Sequence, residues 1–215
     1  MHYAFDRWMD REYPGCPFER YADDIVAHCD SEAQAHELRD SIARRLGALG
    51  LELHPGKTKV VYCKDTRRRG TSEQVSFDFL GYTFRGRVVR GQRGFFVGFN
   101  PAISNKATKA VSKKIRAWHL DRRSSTDLSG LAEDVNAQVR GWIGYYGAFY
   151  RSRLYPIALR IDQHLVRWPM QKYKRLRGRP ERAWAWLEAV RQRQPALFAH
   201  WHLIARAPGR PVGAR

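Results

Sequence analysis

Hydrophobic and polar residues follow a helical period at both ends of the first fifty positions and a strand period between them. Residues 2–12 carry apolar side chains in a helical pattern that a Pro-Gly turn ends. Residues 18–29 contain two short β-prone runs on either side of Asp23 and Asp24, which predicts a tight hairpin. Residues 31–50 begin with a capping box and then repeat an apolar residue every three or four positions, which predicts an amphipathic helix.

The middle of the chain has the pattern of short strands. Residues 51–53 and 59–63 are strand candidates around a Pro-Gly turn, and residues 64–74 form a charged loop. Residues 75–100 return to a β pattern that is interrupted by two turns rich in glycine and arginine, the first at residues 85–87 and the second at residues 90–94.

Beyond residue 100 the hydrophobic period changes from about two to about 3.6, which predicts helices. The longest apolar stripe runs from Leu128 to Phe149 with spacings of three and four residues, typical of a helix of ~33 Å. A further helix is predicted to begin near Pro156 and to bend or end at Pro169, and a last one covers residues 180–192. The pattern therefore predicts an α+β fold, with antiparallel strands and helix first and an all-helical part after them.

Charge divides the chain at a different place. The formal net charge is +18, but residues 1–60 carry 8 basic and 11 acidic side chains, so the excess of positive charge lies entirely in residues 61–215. A field of this size on a chain with many aromatic residues favours a nucleic-acid partner, because neutralised phosphates release counterions. The alternative is a protein that is merely rich in arginine.

Several other classes are excluded by the sequence. The longest stretches without a charged residue are twelve positions, too short for a membrane-spanning helix, and the N-terminus lacks the apolar region of a secretory signal. The three cysteines have neither the spacing of a metal site nor an even count for disulfides, which favours a cytoplasmic protein.

Asp23 and Asp24 form the most informative motif. Two adjacent carboxylates at the end of an apolar strand are costly unless they face solvent or a cation, and hard oxygen ligands suit Mg²⁺. Two-metal phosphoryl transfer needs carboxylates of this kind. The alternative is a plain hairpin turn, in which Asp is common. A P-loop ending at Gly56, Lys57 and Thr58 is rejected because position 51 holds Leu51 instead of the required glycine.

A second group of candidates lies in the basic half. Trp142 and Tyr146 are in phase with the apolar stripe, so core packing is the better interpretation for them. Tyr145, one position earlier, is freer to meet a partner by stacking. The basic candidates for phosphate contact are Arg140, Arg151, Lys172, Lys174 and Arg175, although the last three could also form a solvated helix end.

Four blocks in a fixed order match a known pattern. They read YADD at residues 21–24, LGLELHPGKTKVV at residues 49–61, FDFLGYTF at residues 77–84 and RGWIGYYG at residues 140–147. In this order and at this spacing they resemble the C-terminal half of bacterial group II intron reverse transcriptase/maturases, and the likeness covers almost the whole chain.

The resemblance implies a role for each matched block. Asp23 and Asp24 would be two of the three palm carboxylates that bind Mg²⁺, and Lys57 would lie near the phosphates of the incoming nucleotide. Tyr21 and Ala22 would shape the floor beneath primer and template, and the primer-grip hairpin would consist of Phe79, Leu80, Gly81 and Tyr82. Residues 1–100 would be the C-terminal part of the palm, residues 101–178 the thumb or maturase domain, and residues 179–215 a basic extension.

The resemblance also implies an RNA-directed DNA polymerase and intron maturase. Its partners would be group II intron RNA, an RNA template with a DNA primer, and dNTP. Family members carry fingers and a first metal-binding Asp before the YADD block, and neither Asp6 nor Asp10 lies in a suitable strand pattern. We therefore expect a truncated or split enzyme that needs an N-terminal reverse transcriptase fragment for polymerisation. The alternatives are a non-catalytic RNA-binding splicing cofactor and a decayed gene fragment.

Overall fold

The structure, a computed structural model, describes residues 1–92 and 94–204. It divides into two compact units, the first made of Met1–Leu80 with Phe84–Phe99 and the second of Gly81–Thr83 with the residues from Asn100 onward. The boundaries predicted near residues 100 and 178 remain predictions. The part of the predicted basic extension that follows residue 204 lies outside the described residues.

The first unit begins with the helix, hairpin and helix that the sequence predicts. A π-helical turn at His2–Asp6 continues into α1 (Arg7–Glu12), and the hairpin of β1 (Phe18–Tyr21) and β2 (Asp24–Ala27) precedes α2 (Glu32–Gly47). The strands are antiparallel and pair Phe18 with Ala27 and Tyr21 with Asp24. A small core of buried side chains joins these elements: Phe5, Met9, Cys16, Leu38, Ile42 and Leu46.

The start of α2 follows from its cap. The hydroxyl of Ser31 accepts a hydrogen bond from the backbone N–H of Gln34 at 3.2 Å, as the predicted capping box requires. The side chain of Gln34 accepts from the backbone N–H of Asp30 at 2.7 Å, one residue before the cap. The cap therefore fixes both the first turn and the residue that leads into it.

The strands predicted at residues 51–53 and 59–63 are wrong, because residues 48–75 are irregular. The backbone N–H groups of Lys57 and Thr58 bond to the carbonyl of His54, which closes a local turn in place of a ladder. Short β-prone runs become strands only where a neighbouring strand pairs with them, and within the described chain no backbone hydrogen bond joins residues 51–53 to residues 59–63.

The β pattern after residue 75 is confirmed. The strands β3 (Ser76–Phe79), β4 (Tyr82–Gly91) and β5 (Gly94–Ile103) lie in that order in one sheet, and the short connections make both pairs antiparallel. The turn predicted at residues 85–87 is wrong, because β4 runs through Gly86. A Cβ atom at Gly86 would lie 3.1 Å from the carbonyl oxygen of Lys64, so this glycine allows a close approach of backbone within a strand.

The second unit is helical after the end of β5. Its helices are α3 (Asn105–Ala117), α4 (Leu128–Tyr146), α5 (Tyr155–Leu165), α6 (Arg167–Lys172), α7 (Pro180–Arg193) and α8 (Trp201–Ile204). Short 3₁₀ turns occur at Leu120–Arg122, Arg151–Leu154 and Lys174–Leu176. The α+β class predicted from the sequence is confirmed.

The apolar stripe of α4 forms the centre of the second core. Leu131, Val135 and Val139 are buried, and Trp142 and Tyr146 pack against the same cluster while partly exposed, as predicted. The carboxylate of Asp127 caps the helix by accepting from the N–H of Gly130 at 2.7 Å. The predicted stripe extends to Phe149, but the helix ends at Tyr146.

The break between α5 and α6 lies at Val166, three residues before the proline that the sequence predicted to cause it. The ring of a helical proline clashes with the carbonyl four residues earlier, which here is the carbonyl of Leu165, the last residue of α5. Pro169 itself lies in the first turn of α6, where its missing N–H costs little.

A buried polar cluster ties α5, α7 and α8 together. The carboxylate of Asp162, fully buried, pairs with Arg191 and accepts from His200 Nε2 at 2.8 Å and from Trp201 Nε1 at 3.0 Å. Burial raises the pKa of Asp162, but the hydrogen bond from His200 and the nearby positive charge outweigh it, so the pKa lies below its usual value. Burial, together with the charge of Arg191, lowers the pKa of His200 despite its hydrogen bond to Asp162.

Candidate functional site

The YADD hairpin presents two adjacent carboxylates at its tip. Tyr21 pairs with Asp24 across the strands, so Ala22 and Asp23 form a two-residue turn. Both carboxylates are exposed, and the side chain of Tyr21 is 65 % exposed beside them. The geometry leaves the carboxylate oxygens open to a solvated ligand.

The turn is held in a conformation that alanine rarely adopts. Ala22 has φ of 56°, in the left-handed region, which costs an L-residue roughly 1–2 kcal/mol. Backbone strain of this kind persists only where the surrounding structure fixes it, and it is common at functional sites. The carbonyl of Ala22 accepts a hydrogen bond from Arg20 Nη1 at 2.8 Å.

Arg20 is in turn held by Asp6. Arg20 Nε donates to one oxygen of Asp6 and Nη2 to the other, both at 2.6 Å. The hydrogen bond from Arg20 is the main cause that lowers the pKa of Asp6 to about 2. Sequence reasoning set Asp6 aside because it lies in no strand, and a pairing across fourteen residues leaves no local signal.

The donor set at the hairpin tip fits magnesium in part. Mg²⁺ is commonly held by one or two carboxylates together with water and substrate phosphates, and Asp23 and Asp24 supply two. Within residues 1–92 and 94–204, no group of three His, Cys, Asp or Glu side chains is placed to hold a metal ion. Lys57 is exposed in the turn after His54, and its assignment to the nucleotide phosphates remains a prediction.

The hairpin between β3 and β4, in the block FDFLGYTF, also has a two-residue turn. Leu80 and Gly81, between Phe79 and Tyr82, have φ of 49° and 79°, and two consecutive positive values are those of a type I′ turn. A Cβ atom at Gly81 would lie 3.1 Å from the hydroxyl oxygen of Tyr146. Glycine is therefore needed here for both its conformation and its size.

Tyr82 is the base of an aromatic patch in the second unit, which we define as Tyr82, Tyr145, Tyr146 and Phe149. The hydroxyl of Tyr82, which is buried, donates to the carbonyl of Tyr145, and its ring meets the other three at centroid distances of 5.1–5.6 Å. Burial, and then the neighbouring tyrosines, raises the pKa of Tyr82. Tyr145 is 48 % exposed and Phe149 66 % exposed.

The sequence pattern predicts a buried Phe149, because this residue continues the three- and four-residue spacing of the apolar stripe, but the side chain is exposed. Gly147, the residue that caps the helix, was the signal that could have found it. Beyond this glycine the helical phase no longer predicts which side chains are buried.

The basic candidates differ in how they are used. Arg140, Arg151, Lys174 and Arg175 are exposed. Lys172 is partly buried: its ammonium donates to the carbonyl of Thr126 at 2.9 Å and lies 5.0 Å from the centre of the Trp168 ring. Its charge therefore stabilises the packing of α6.

The structure adds a basic face on α3 that sequence reasoning missed. Four of its exposed basic side chains lie three or four residues apart, namely Lys106, Lys109, Lys113 and Arg116; Lys114 is also exposed, and α3 contains no acidic residue. The opposite face of α3 is buried, so the lysines point away from the core. The spacing of lysines among buried apolar positions was the available signal.

Comparison with known protein families gives two matches. Residues 1–84 match the family "Reverse transcriptase (RNA-dependent DNA polymerase)", and residues 108–186 match the family "Group II intron, maturase-specific domain". Together they span roughly three quarters of the chain. No curated protein gives a significant match.

The two matches, in this order along the chain, indicate the class of reverse transcriptases joined to a maturase domain. The two matches confirm the resemblance to group II intron reverse transcriptase/maturases, since the chain carries both domains of that family in the family's order. None of the helices in the described part of the chain is long and apolar enough to span a membrane.

Proposed function

We propose that the chain contributes two metal-binding carboxylates, Asp23 and Asp24, to RNA-directed DNA synthesis and binds group II intron RNA through its basic helical unit. The observation that carries the proposal is the YADD turn, strained at Ala22, with both carboxylates exposed inside the reverse transcriptase match. Ordinary turn chemistry gives no reason for alanine to adopt a conformation that glycine adopts without steric cost.

Asp23, Asp24, Tyr21 and, outside the hairpin, Lys57 have separate tasks in this proposal. Asp23 and Asp24 hold Mg²⁺, which when bound activates the attacking oxygen and stabilises the leaving oxygen of phosphoryl transfer. Tyr21 offers an exposed ring beside the carboxylates for a base or sugar. Lys57 offsets charge on the phosphates of the incoming dNTP.

The RNA-binding part of the proposal rests on charge and exposed rings. Arg140, Arg151, Lys174 and Arg175 and the basic face of α3 can neutralise phosphates. The aromatic patch offers two exposed rings, Tyr145 and Phe149, on which unpaired bases can stack. Intron RNA and a template with its primer both present such groups.

The catalytic part is tested by primer extension on an RNA template with Mg²⁺ and dNTP. The chain is assayed alone and with a separately expressed N-terminal reverse transcriptase fragment that carries fingers and an upstream palm carboxylate. We expect extension in the complemented reaction, its loss in Asp23→Asn and Asp24→Asn, and its retention in the control Asp10→Asn, an exposed carboxylate of α1. Extension that survives both hairpin variants, or no extension in either reaction, overturns the catalytic part.

A splicing assay separates the proposal from a non-catalytic cofactor. Under the proposal, wild-type chain binds intron RNA with an affinity that falls steeply with salt. Alanine at both Asp23 and Asp24 should remove extension and leave this binding intact. Splicing assistance without any extension in the complemented reaction supports the cofactor function instead.

A further inference from the structure

Arg20 makes three hydrogen bonds that connect the N-terminal turn to the YADD turn. Two of them, from Nε and Nη2, form a bidentate pair with the carboxylate of Asp6, and the third, from Nη1, reaches the carbonyl of Ala22 at 2.8 Å. A planar guanidinium that is fixed by two parallel bonds has a fixed direction for its remaining N–H groups. The position of Asp6 therefore determines where Nη1 points.

The pair is anchored in packed structure. Phe18 and Arg20 lie on the same, less exposed face of β1, and Phe18 meets the buried ring of Phe5 edge-on at 5.2 Å between centroids. Phe5 is the residue before Asp6, so the core contact and the ion pair dock the same helical turn against the same strand. The side chains of Arg20 and Asp6 are only 20 % and 18 % exposed.

The carbonyl that Arg20 holds belongs to the peptide group between Ala22 and Asp23. Fixing this peptide sets the orientation of the backbone that immediately precedes both carboxylates, at the one residue of the turn with a positive φ. We propose that Asp6 and Arg20 are positioning residues that hold the strained YADD turn so that Asp23 and Asp24 face a common ligand. This inference rests on the proposed metal-binding role of the two carboxylates.

The inference predicts a loss of metal affinity from substitutions that touch no ligand. The test uses the full chain with Mn²⁺ as the probe, measuring free Mn²⁺ by electron paramagnetic resonance and the backbone amide signals of residues 22–24 by NMR. We expect Arg20→Gln and Asp6→Asn to raise the Kd for Mn²⁺ by about tenfold and to shift these amides, in line with other residues that orient metal ligands. Arg11→Gln, an exposed arginine paired with its neighbour Glu12, is the matched control and should change neither.

A second variant keeps the test decisive if Arg20→Gln unfolds. Arg20→Lys keeps the charge but loses the fork that binds Asp6 and Ala22 together, so we expect it to melt cooperatively and still bind Mn²⁺ more weakly than wild type. Wild-type Mn²⁺ affinity and unshifted amides in a folded Arg20 or Asp6 variant overturn the inference.

Failure of the proposed metal site gives a different result. If the Asp23→Asn/Asp24→Asn chain binds Mn²⁺ as tightly as wild type, the carboxylates are not ligands and the proposed function fails. The amide shifts of residues 22–24 then still decide whether Arg20 holds the turn: a shift in Arg20→Gln supports its positioning of the backbone, and no shift overturns it.

Discussion

Replacing Asp162 by alanine should destabilise the second unit severely. The carboxylate is fully buried and accepts from His200 and Trp201 while it pairs with Arg191, whose side chain is 10 % exposed. Removing one partner of a buried ion pair costs about 3–5 kcal/mol, and Arg191 would keep only its partly exposed partner Glu188. Arg191, His200 and Trp201 would each lose a hydrogen-bond acceptor. Each unsatisfied buried donor costs about 1–3 kcal/mol, so this second reckoning gives a cost of the same order or larger.

The assay is urea unfolding followed by tryptophan fluorescence. All but one of the seven tryptophans, the exception being Trp8, belong to the second unit, so the signal mainly reports its unfolding. The matched control is Asp134→Ala, whose carboxylate pairs with Arg123 on the surface with both side chains more than a third exposed. A surface pair of this kind contributes about 0–1 kcal/mol.

The expected result is a fall in the free energy of unfolding by about 3–5 kcal/mol for Asp162→Ala and by less than about 1 kcal/mol for the control. A cost below about 1 kcal/mol for Asp162→Ala would refute the reasoning, since it would mean that water or another group replaces the carboxylate. Asp162→Asn should fall between the two, because it keeps an acceptor and loses the charge that offsets Arg191.

Four further outcomes follow from residues described above. Gly81→Ala should lower the free energy of unfolding by about 1–2 kcal/mol because of its positive φ, whereas Gly144→Ala, in an exposed part of α4 with open space around it, should raise it by up to about 1 kcal/mol; urea unfolding checks both. Arg151→Gln should weaken binding to all RNA sequences alike and reduce the slope of log affinity against log salt by about one in filter binding. Phe149→Ala should weaken binding of single-stranded RNA by about 1–3 kcal/mol, with duplex binding unchanged, in fluorescence anisotropy. The pKa of Asp6 lies at about 2, below its ordinary 3.8. The ionised Asp6 carboxylate therefore contributes its full stabilisation of the folded chain above pH 3.8, and this contribution is lost as the pH falls through 2. Acid unfolding should show the loss in wild type and not in Asp6→Asn.

Local signals explain which parts of the fold could be predicted. The YADD hairpin, α2 and α4 each carry turn residues, a cap or a long apolar stripe within their own sequence, and each forms close to where it is predicted, although α4 ends three residues before the stripe does. Gly86 shows the opposite case. A glycine between arginines resembles a turn, and only the neighbouring backbone, which leaves no room for a Cβ atom, shows that it belongs in a strand.

The polar interactions that hold each unit together could not be predicted, because the residues that form them are distant in sequence. Asp162 meets groups 29 to 39 residues away, and no periodicity marks it as different from an exposed aspartate of α5. The motif at Asp23 and Asp24 was visible because its residues are adjacent. The pair that holds the turn, Asp6 and Arg20, was not visible, because a helical turn and a strand meet only after folding.

The irregular segment from residue 48 to 75 makes the first unit divisible by limited proteolysis. Arg67, Arg68 and Arg69 are exposed there, and trypsin cleaves after arginine. Every buried side chain of the core behind the YADD hairpin comes from residues 5–46, so a cut in this segment leaves that core on one fragment. Residues 1–67, which contain the hairpin and this core, could therefore be made as a separate peptide for metal titration without removing a buried side chain that holds the hairpin.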